Sequence, residues 1–299
     1  MSSTSLPISS RTGTGAGLGP MARIEAARFL RHPAFVIGVV LAFGLTILQF
    51  VSESDPHVTD LLSMPIMPAF FLGLPSLVAA HRLTRSTDAA LEAVAAAPGS
   101  EARRTAALVA ACLVPAAAAL AWTAMLLVLV AQKGAAPQEW WFATMPDWQV
   151  WSILLALGPV ACLGGGLLGV LSGRWLEFPG AAAATTVAVV GVCFLGAGFI
   201  EGRSARLALP WAMFASGTQD DGTQDLGTGN PAFYLLYLLC LCAAAALVAI
   251  WHDRASRTRQ LRLAIVAVTI VGLSSLALAL VTGPQDVQTS DPIPYKIHD

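Results

Sequence analysis

The chain has 299 residues, 56% of them hydrophobic and only 12% charged, with a formal net charge of −1. A soluble domain is about 45–50% apolar and about 25% charged. This composition therefore leaves too little polar surface to coat a water-soluble globule, and the near-neutral balance gives nucleic acid no footing. Ala-, Leu- and Val-rich runs without alternation exclude a transmembrane β-barrel and predict an all-α, polytopic helical membrane protein.

In chain order, residues 1–19 are rich in Ser, Thr and Gly and read as a disordered cytoplasmic lead-in without the apolar core of a signal peptide. Pro20 opens a short helix to about His32, proline being favoured at a first helical position. Ala22, Ala26, Phe29 and Leu30 gather on one side of it, and Arg23, Glu25, Arg28 and Arg31 take the rest. That pattern predicts a helix lying in the plane of the headgroups. Seven apolar runs follow, near Ala34–Val51, Leu61–Ala80, Thr105–Ala131, Val150–Ser172, Gly180–Ile200, Pro231–Trp251 and Leu263–Thr282. Each is close to the roughly 20 residues that a span requires.

Basic residues set the orientation. With the N-terminus inside, thirteen of the 17 Lys and Arg fall on the inner side and four outside (Lys133, Arg203, Arg206, Lys296). Trp140, Trp141, Trp148, Trp151 and Trp211 then mark the outer interface, and Trp175 and Trp251 the inner one. An odd number of spans puts the Pro-rich tail Gly283–Asp299 outside. Glu201–Asn230, also outside, holds an expected re-entrant or interfacial helix around Arg206–Ala215, anchored by Trp211 and Phe214. Asp220, Asp221 and Asp225 there lack calcium-loop spacing and read as a solvated loop.

The spans lack Asp, Glu, Lys, Arg and His away from their edges, which argues against ion-coupled transport and intramembrane hydrolysis. His81 and His252 read as polar anchors at the inner surface, leaving Ser172 without a base. The five cysteines lie within apolar runs, with no metal-ligand or disulfide spacing. The only lysines, Lys133 and Lys296, sit in no phosphate-loop context. The expectation is a chain that is no enzyme and binds no metal or cofactor, so that any ATP hydrolysis belongs to a separate polypeptide.

The loop His81–Arg104 is the most informative polar segment. Ser86, Thr87 and Asp88 are N-cap candidates, Asp88–Ala97 is a run of strong helix formers, and Pro98-Gly99 stops it before Ser100-Glu101 starts the next rise. A short helix parallel to the membrane is expected, flanked by Arg82, Arg85, Arg103 and Arg104. Within the spans, Gly164, Gly165, Gly166 and Gly169 allow close helix contact. Pro65, Pro68 and Pro75 loosen the second span, where Met64, Met67, Phe70 and Phe71 are candidates for lining an apolar path; packing residues are the alternative. Arg254, Arg257, Arg259 and Arg262 most simply enforce orientation, with an anionic-lipid contact as the sharper reading.

The opening RIEAARFLRHPAFVIG (Arg23–Gly38), the segment Arg82–Arg104 and the hydropathy of residues 20–252 together resemble an ABC-2 type transporter permease, over about four-fifths of the chain. The resemblance implies a six-span core (20–252), to which residues 253–299 add a seventh span and an outer tail. It further implies export across the inner (plasma) membrane by a pair of permease subunits, as homodimer or heterodimer. Two ABC ATPase subunits carrying Mg-ATP would dock inside on Arg85, Asp88, Leu91 and Glu92. The rival reading is a seven-span sensor or scaffold without an ATPase.

Overall fold

The structure, a computed structural model, describes residues 17–52, 63–89, 100–132, 146–199, 206–214, 225–226, 229–283 and 288–289. The architecture is helical, apart from a two-residue antiparallel ladder that pairs Asp225 with Thr289 and Leu226 with Gln288. Among the described residues six helices are long and apolar enough to cross a membrane: Pro33–Val51, Ile66–Ser86, Glu101–Gln132, Asp147–Trp175, Pro231–Trp251 and Arg259–Thr282. A further apolar helix covers Ala181–Phe199. We number the helices α1 (Leu18–Leu30), α2 (Pro33–Ser52), α3 (Ile66–Ala89), α4 (Glu101–Gln132), α5 (Asp147–Trp175), α6 (Ala181–Phe199), α7 (Pro231–Trp251) and α8 (Arg259–Thr282).

Local chemistry accounts for three of the helix starts. Ser100 accepts a hydrogen bond from Arg103 N and caps α4, Asn230 accepts from Ala232 N at the start of α7, and Thr258 accepts from Leu261 N at the start of α8. Each side-chain oxygen satisfies one of the backbone donors that a helix start leaves open. Prolines disturb the interiors. α3 widens into a π turn at Ala69–Gly73 between Pro68 and Pro75, and α5 does so at Ala156–Val160 around Pro159. A proline cannot donate to the carbonyl one turn back, and a π turn is one way for a helix to absorb that defect.

The tightest pairing joins α3 to α5. Gly165, Gly169 and Gly173 recur every fourth residue on α5. A Cβ on Gly165 would collide with the carbonyl of Gly73 and one on Gly169 with that of Leu77, while one on Gly173 would stand 2.8 Å from Thr84 Cβ. Backbone therefore lies close against the facing helix over about two helical turns, the close approach that small residues permit where lipid supplies no hydrophobic drive. Gly166 instead faces Cys112 and Pro115 of α4, and Gly164 stands near Cys242 of α7. In the core, Trp122 of α4 is fully buried and its indole N–H donates to Ala42 O (3.2 Å) and Thr46 Oγ1 (3.0 Å) of α2. α8 packs along α7 and is otherwise mostly exposed; Asn230 N donates to Ala279 O (2.8 Å) and Asn230 Nδ2 to Thr282 Oγ1 (3.2 Å). The seventh apolar run thus lies on the rim of the bundle and braces α7.

One expectation fails here. The stretch His81–Asp88, read as the start of a loop with N-cap residues, is helical and continues α3 to Ala89. Burial is the reason. His81, Leu83 and Thr84 pack inside the bundle, Thr84 against Gly173, so tertiary contact carries the helix past the end of the apolar run. Ser86 accordingly donates to Leu83 O within the helix instead of capping a new one.

Candidate coupling end and apolar cleft

At one end of the bundle the arginine-bearing elements converge. α1 packs on the start of α4, and its buried Phe29 meets Phe35 of α2 edge to face at 5.3 Å. Arg28 pairs with Glu25 at 2.9 Å and also donates to Ser86 Oγ at 2.9 Å, tying α1 to the end of α3. His32 sits in the α1–α2 corner, where its Nδ1 accepts from Ala34 N at 3.3 Å. Burial, followed by the nearby Arg82 charge, lowers the His32 pKa below its ordinary value.

Across from this corner lies a second polar cluster. Glu101, the first residue of α4, places Oε1 2.9 Å from His252 Nδ1 and 3.5 Å from Arg174 Nη1. The Arg174 side chain is 2% exposed, so a carboxylate beside it offsets a charge removed from water. Asp253 accepts from Ala102 N (3.1 Å) and from Ala255 N (2.9 Å), docking the α4 N-terminus on the end of α7. Trp175 stacks edge to face on His252 and donates to Val248 O. The segment 90–99 is therefore bordered on one side by a residue run bonded to α1 and on the other by one bonded to α5 and α7.

His81 is not a surface anchor. It is buried between α3 and α5, and its Nδ1 lies 3.0 Å from Ser172 Oγ, so Ser172 does have a histidine beside it. Ser172 Oγ also lies 3.1 Å from Gly169 O, a donor position within its own helix. A nucleophile needs open access to substrate, and both residues are closed in by the α3–α5 contact. Arg174 and His252 are likewise not free surface groups but members of the Glu101 cluster.

Between α3, α5, α6 and α7 runs an apolar cleft of about 680 Å³, open on one side. This is within the range of roughly 300–1,000 Å³ typical of small-molecule sites. Gly164 and Gly165 form part of its floor, and Leu77, Leu171 and Val248 border one end. At the other end Pro210, Trp211 and Met213 close it. Arg206 and Leu207 are helical, and 208–214 run on through a turn and bends rather than as a regular interfacial helix, with Leu207, Leu209, Ala212 and Phe214 buried. Tyr234 and Tyr237 of α7 donate to Leu209 O (3.0 Å) and Ala208 O (2.9 Å), and the Trp211 indole donates to Leu157 O in the α5 π turn. The two tyrosine hydroxyls and the indole N–H are engaged by main-chain carbonyls, and the Thr185 hydroxyl bonds Ala181 O. What the cleft offers a ligand is apolar surface.

The expected path residues do not share one surface. Phe70 lines the cleft and is 39% exposed, whereas Met64 is buried in the core. Met67 and Phe71 pack against that core, and Phe71 with Phe70 borders a second groove beside α2. Of the expected coupling residues, Arg85 and the backbone of Asp88 lie on the end of α3, while Leu91 and Glu92 fall outside the described residues, as do Trp140, Trp141, Asp220 and Asp221. Glu101, Arg174, His252, Tyr234 and Tyr237 were missed. The signal that could have found them was polar residues at span ends, each needing a partner once buried.

No family model, curated protein or solved structure matches the chain. The class that the fold defines is a multi-pass helical membrane protein.

Proposed function

We propose that the chain is the membrane-spanning permease subunit of an ATP-driven ABC-2 type exporter. It has seven spans in the inner membrane, with the N-terminus inside and the C-terminus outside, and it works as a pair with a second permease subunit. The chain itself supplies the path, and separate ATPase subunits dock on the 81–104 segment through Arg85, Asp88, Leu91 and Glu92. The observation that carries this reading is the double anchorage of residues 90–99. Arg28–Ser86 ties one border to α1, and Glu101 with Arg174 and His252 ties the other to α5 and α7. A load applied between those borders reaches the helices that line the cleft. The apolar lining supports a hydrophobic or amphiphilic cargo.

A mild-detergent pull-down of the tagged chain, with mass spectrometry of what accompanies it, tests the proposal. An ATPase that co-purifies with the native chain and is lost from a folded L91R/E92R variant would sustain it. Repeated lipid-supplemented preparations of intact protein with no ATPase would overturn it in favour of a sensor or scaffold.

A further inference from the structure

The turn between α7 and α8 carries Arg254 and Arg257, and the first turn of α8 carries Arg259 and Arg262, all exposed. Among the described residues none of the four pairs with a carboxylate, and the nearest acid in sequence, Asp253, is engaged by the Ala102 and Ala255 N–H groups. Two of the guanidiniums nevertheless share an aromatic neighbour. Arg257 lies 5.9 Å and Arg262 5.8 Å from the centroid of the same indole, Trp251. An indole attracts cations, and a shared anion would offset the repulsion between two cations drawn to one ring. Immediately beyond, α8 turns an apolar face outward: Leu263 is 57% exposed, Ile270 59% and Leu273 61%. Such a surface belongs to lipid chains.

We propose that Arg257 and Arg262, steadied by Trp251, clamp the phosphodiester headgroup of an anionic membrane lipid whose chains lie along α8. A guanidinium pair matches phosphate oxygens in geometry and charge. The adjoining apolar helix is what selects a lipid over a free phosphate. Arg257 already donates to Trp251 O at 3.1 Å, so the C-terminal carbonyls of α7 fix one arm of the clamp. This inference stands apart from any ATPase, and its test does not involve one.

The full chain, purified in a neutral detergent, is given phosphatidylglycerol, phosphatidylcholine or inorganic phosphate at equal concentration. Native mass spectrometry reads bound lipid, and intrinsic fluorescence reads the melting temperature. Phosphatidylglycerol should remain bound and raise the melting temperature by several degrees, with the other two doing neither. The R257Q/R262Q variant should hold at least ten-fold less of it, and R254Q/R259Q should stay near the native level. Because Arg257 also bonds the α7 backbone, R262Q alone is the second variant, and it should lose most of the binding while folded. Equal retention of both lipids, equal losses in the two double variants, full binding by R262Q, or the same stabilisation by phosphate alone would each overturn the clamp.

Discussion

Glu101 Oε1 stands 2.9 Å from His252 Nδ1, joining the first residue of α4 to the one that follows α7 across 151 positions of sequence. The same carboxylate is the neighbour of Arg174, whose side chain is almost wholly enclosed while that of Glu101 is 33% exposed. Removing one partner of a fully buried ion pair costs about 3–5 kcal/mol, because the other charge stays in place. With one partner open to solvent, Glu101→Gln should cost about 2 kcal/mol. Thermal melting in detergent would measure this, and E101Q added to R174Q should cost less than the sum of the two if the pair is coupled.

The backbone contact between α3 and α5 predicts a strong asymmetry among glycines. Gly169→Leu drives a side chain into the Leu77 carbonyl, whereas Gly191 on α6 has open space where its Cβ would lie. Overpacking of this kind costs about 1–3 kcal/mol or more. G169L should therefore lower the yield of monodisperse protein and its melting temperature, and G191L should leave both near native values. Size-exclusion profiles of the two variants provide the comparison.

Filling the cleft should block binding without unfolding. Ala188 lies on the cleft wall and is exposed. Ala188→Trp should change stability by less than about 0.5 kcal/mol, as is usual for exposed positions. It should weaken an apolar fluorescent probe, such as a naphthylamine, by about ten-fold, equivalent to about 1.4 kcal/mol. Native affinity in A188W would show that the probe binds elsewhere.

His32 gives the chain a pH dependence of defined sign. Burial and Arg82 lower its pKa in the folded state, and its Nδ1 must be unprotonated to accept from Ala34 N. Below the ordinary histidine value of about 6.5 the unfolded chain takes up a proton that the folded chain resists, so stability falls as pH drops through that range and is flat above it. Histidine-to-asparagine substitution at this position, H32N, keeps a side-chain acceptor for Ala34 N and removes the titration. The difference in melting temperature between pH 7.5 and 5.5 should shrink in H32N.

Much of the fold was legible because the information is local. The run Pro231–Trp251 is the helix as read, and the start of α4 follows from Ser100, whereas α8 begins at Arg259, four residues before the expected run, behind the Thr258 cap. Gly164, Gly165, Gly166 and Gly169 of α5 were recognised as contact residues, but Gly173 was not, nor was the register against Gly73, Leu77 and Thr84. The end of α3 was misread because His81, Thr84 and Ser86 look like loop residues, and only the opposing Gly173 and Ser172 make that stretch an interior one. The cleft was illegible for a similar reason. Its walls come from four helices whose sequences are equally apolar on every side, so no periodicity separates a lipid-facing residue from a lining one.

The glycine register of α5 also divides the molecule mechanically. α3 and α5 touch through main-chain atoms at Gly73 and Leu77, leaving no flexible side chains between them to yield, so the two helices behave as a single stiff post. Among the described side chains of α6 no such seam occurs: Ala183, Ala184, Val187 and Val192 are exposed, and Gly191 meets nothing within 4 Å of where its Cβ would lie. Widening of the cleft would therefore fall to its α6 and α7 walls, hung like leaves beside a fixed jamb.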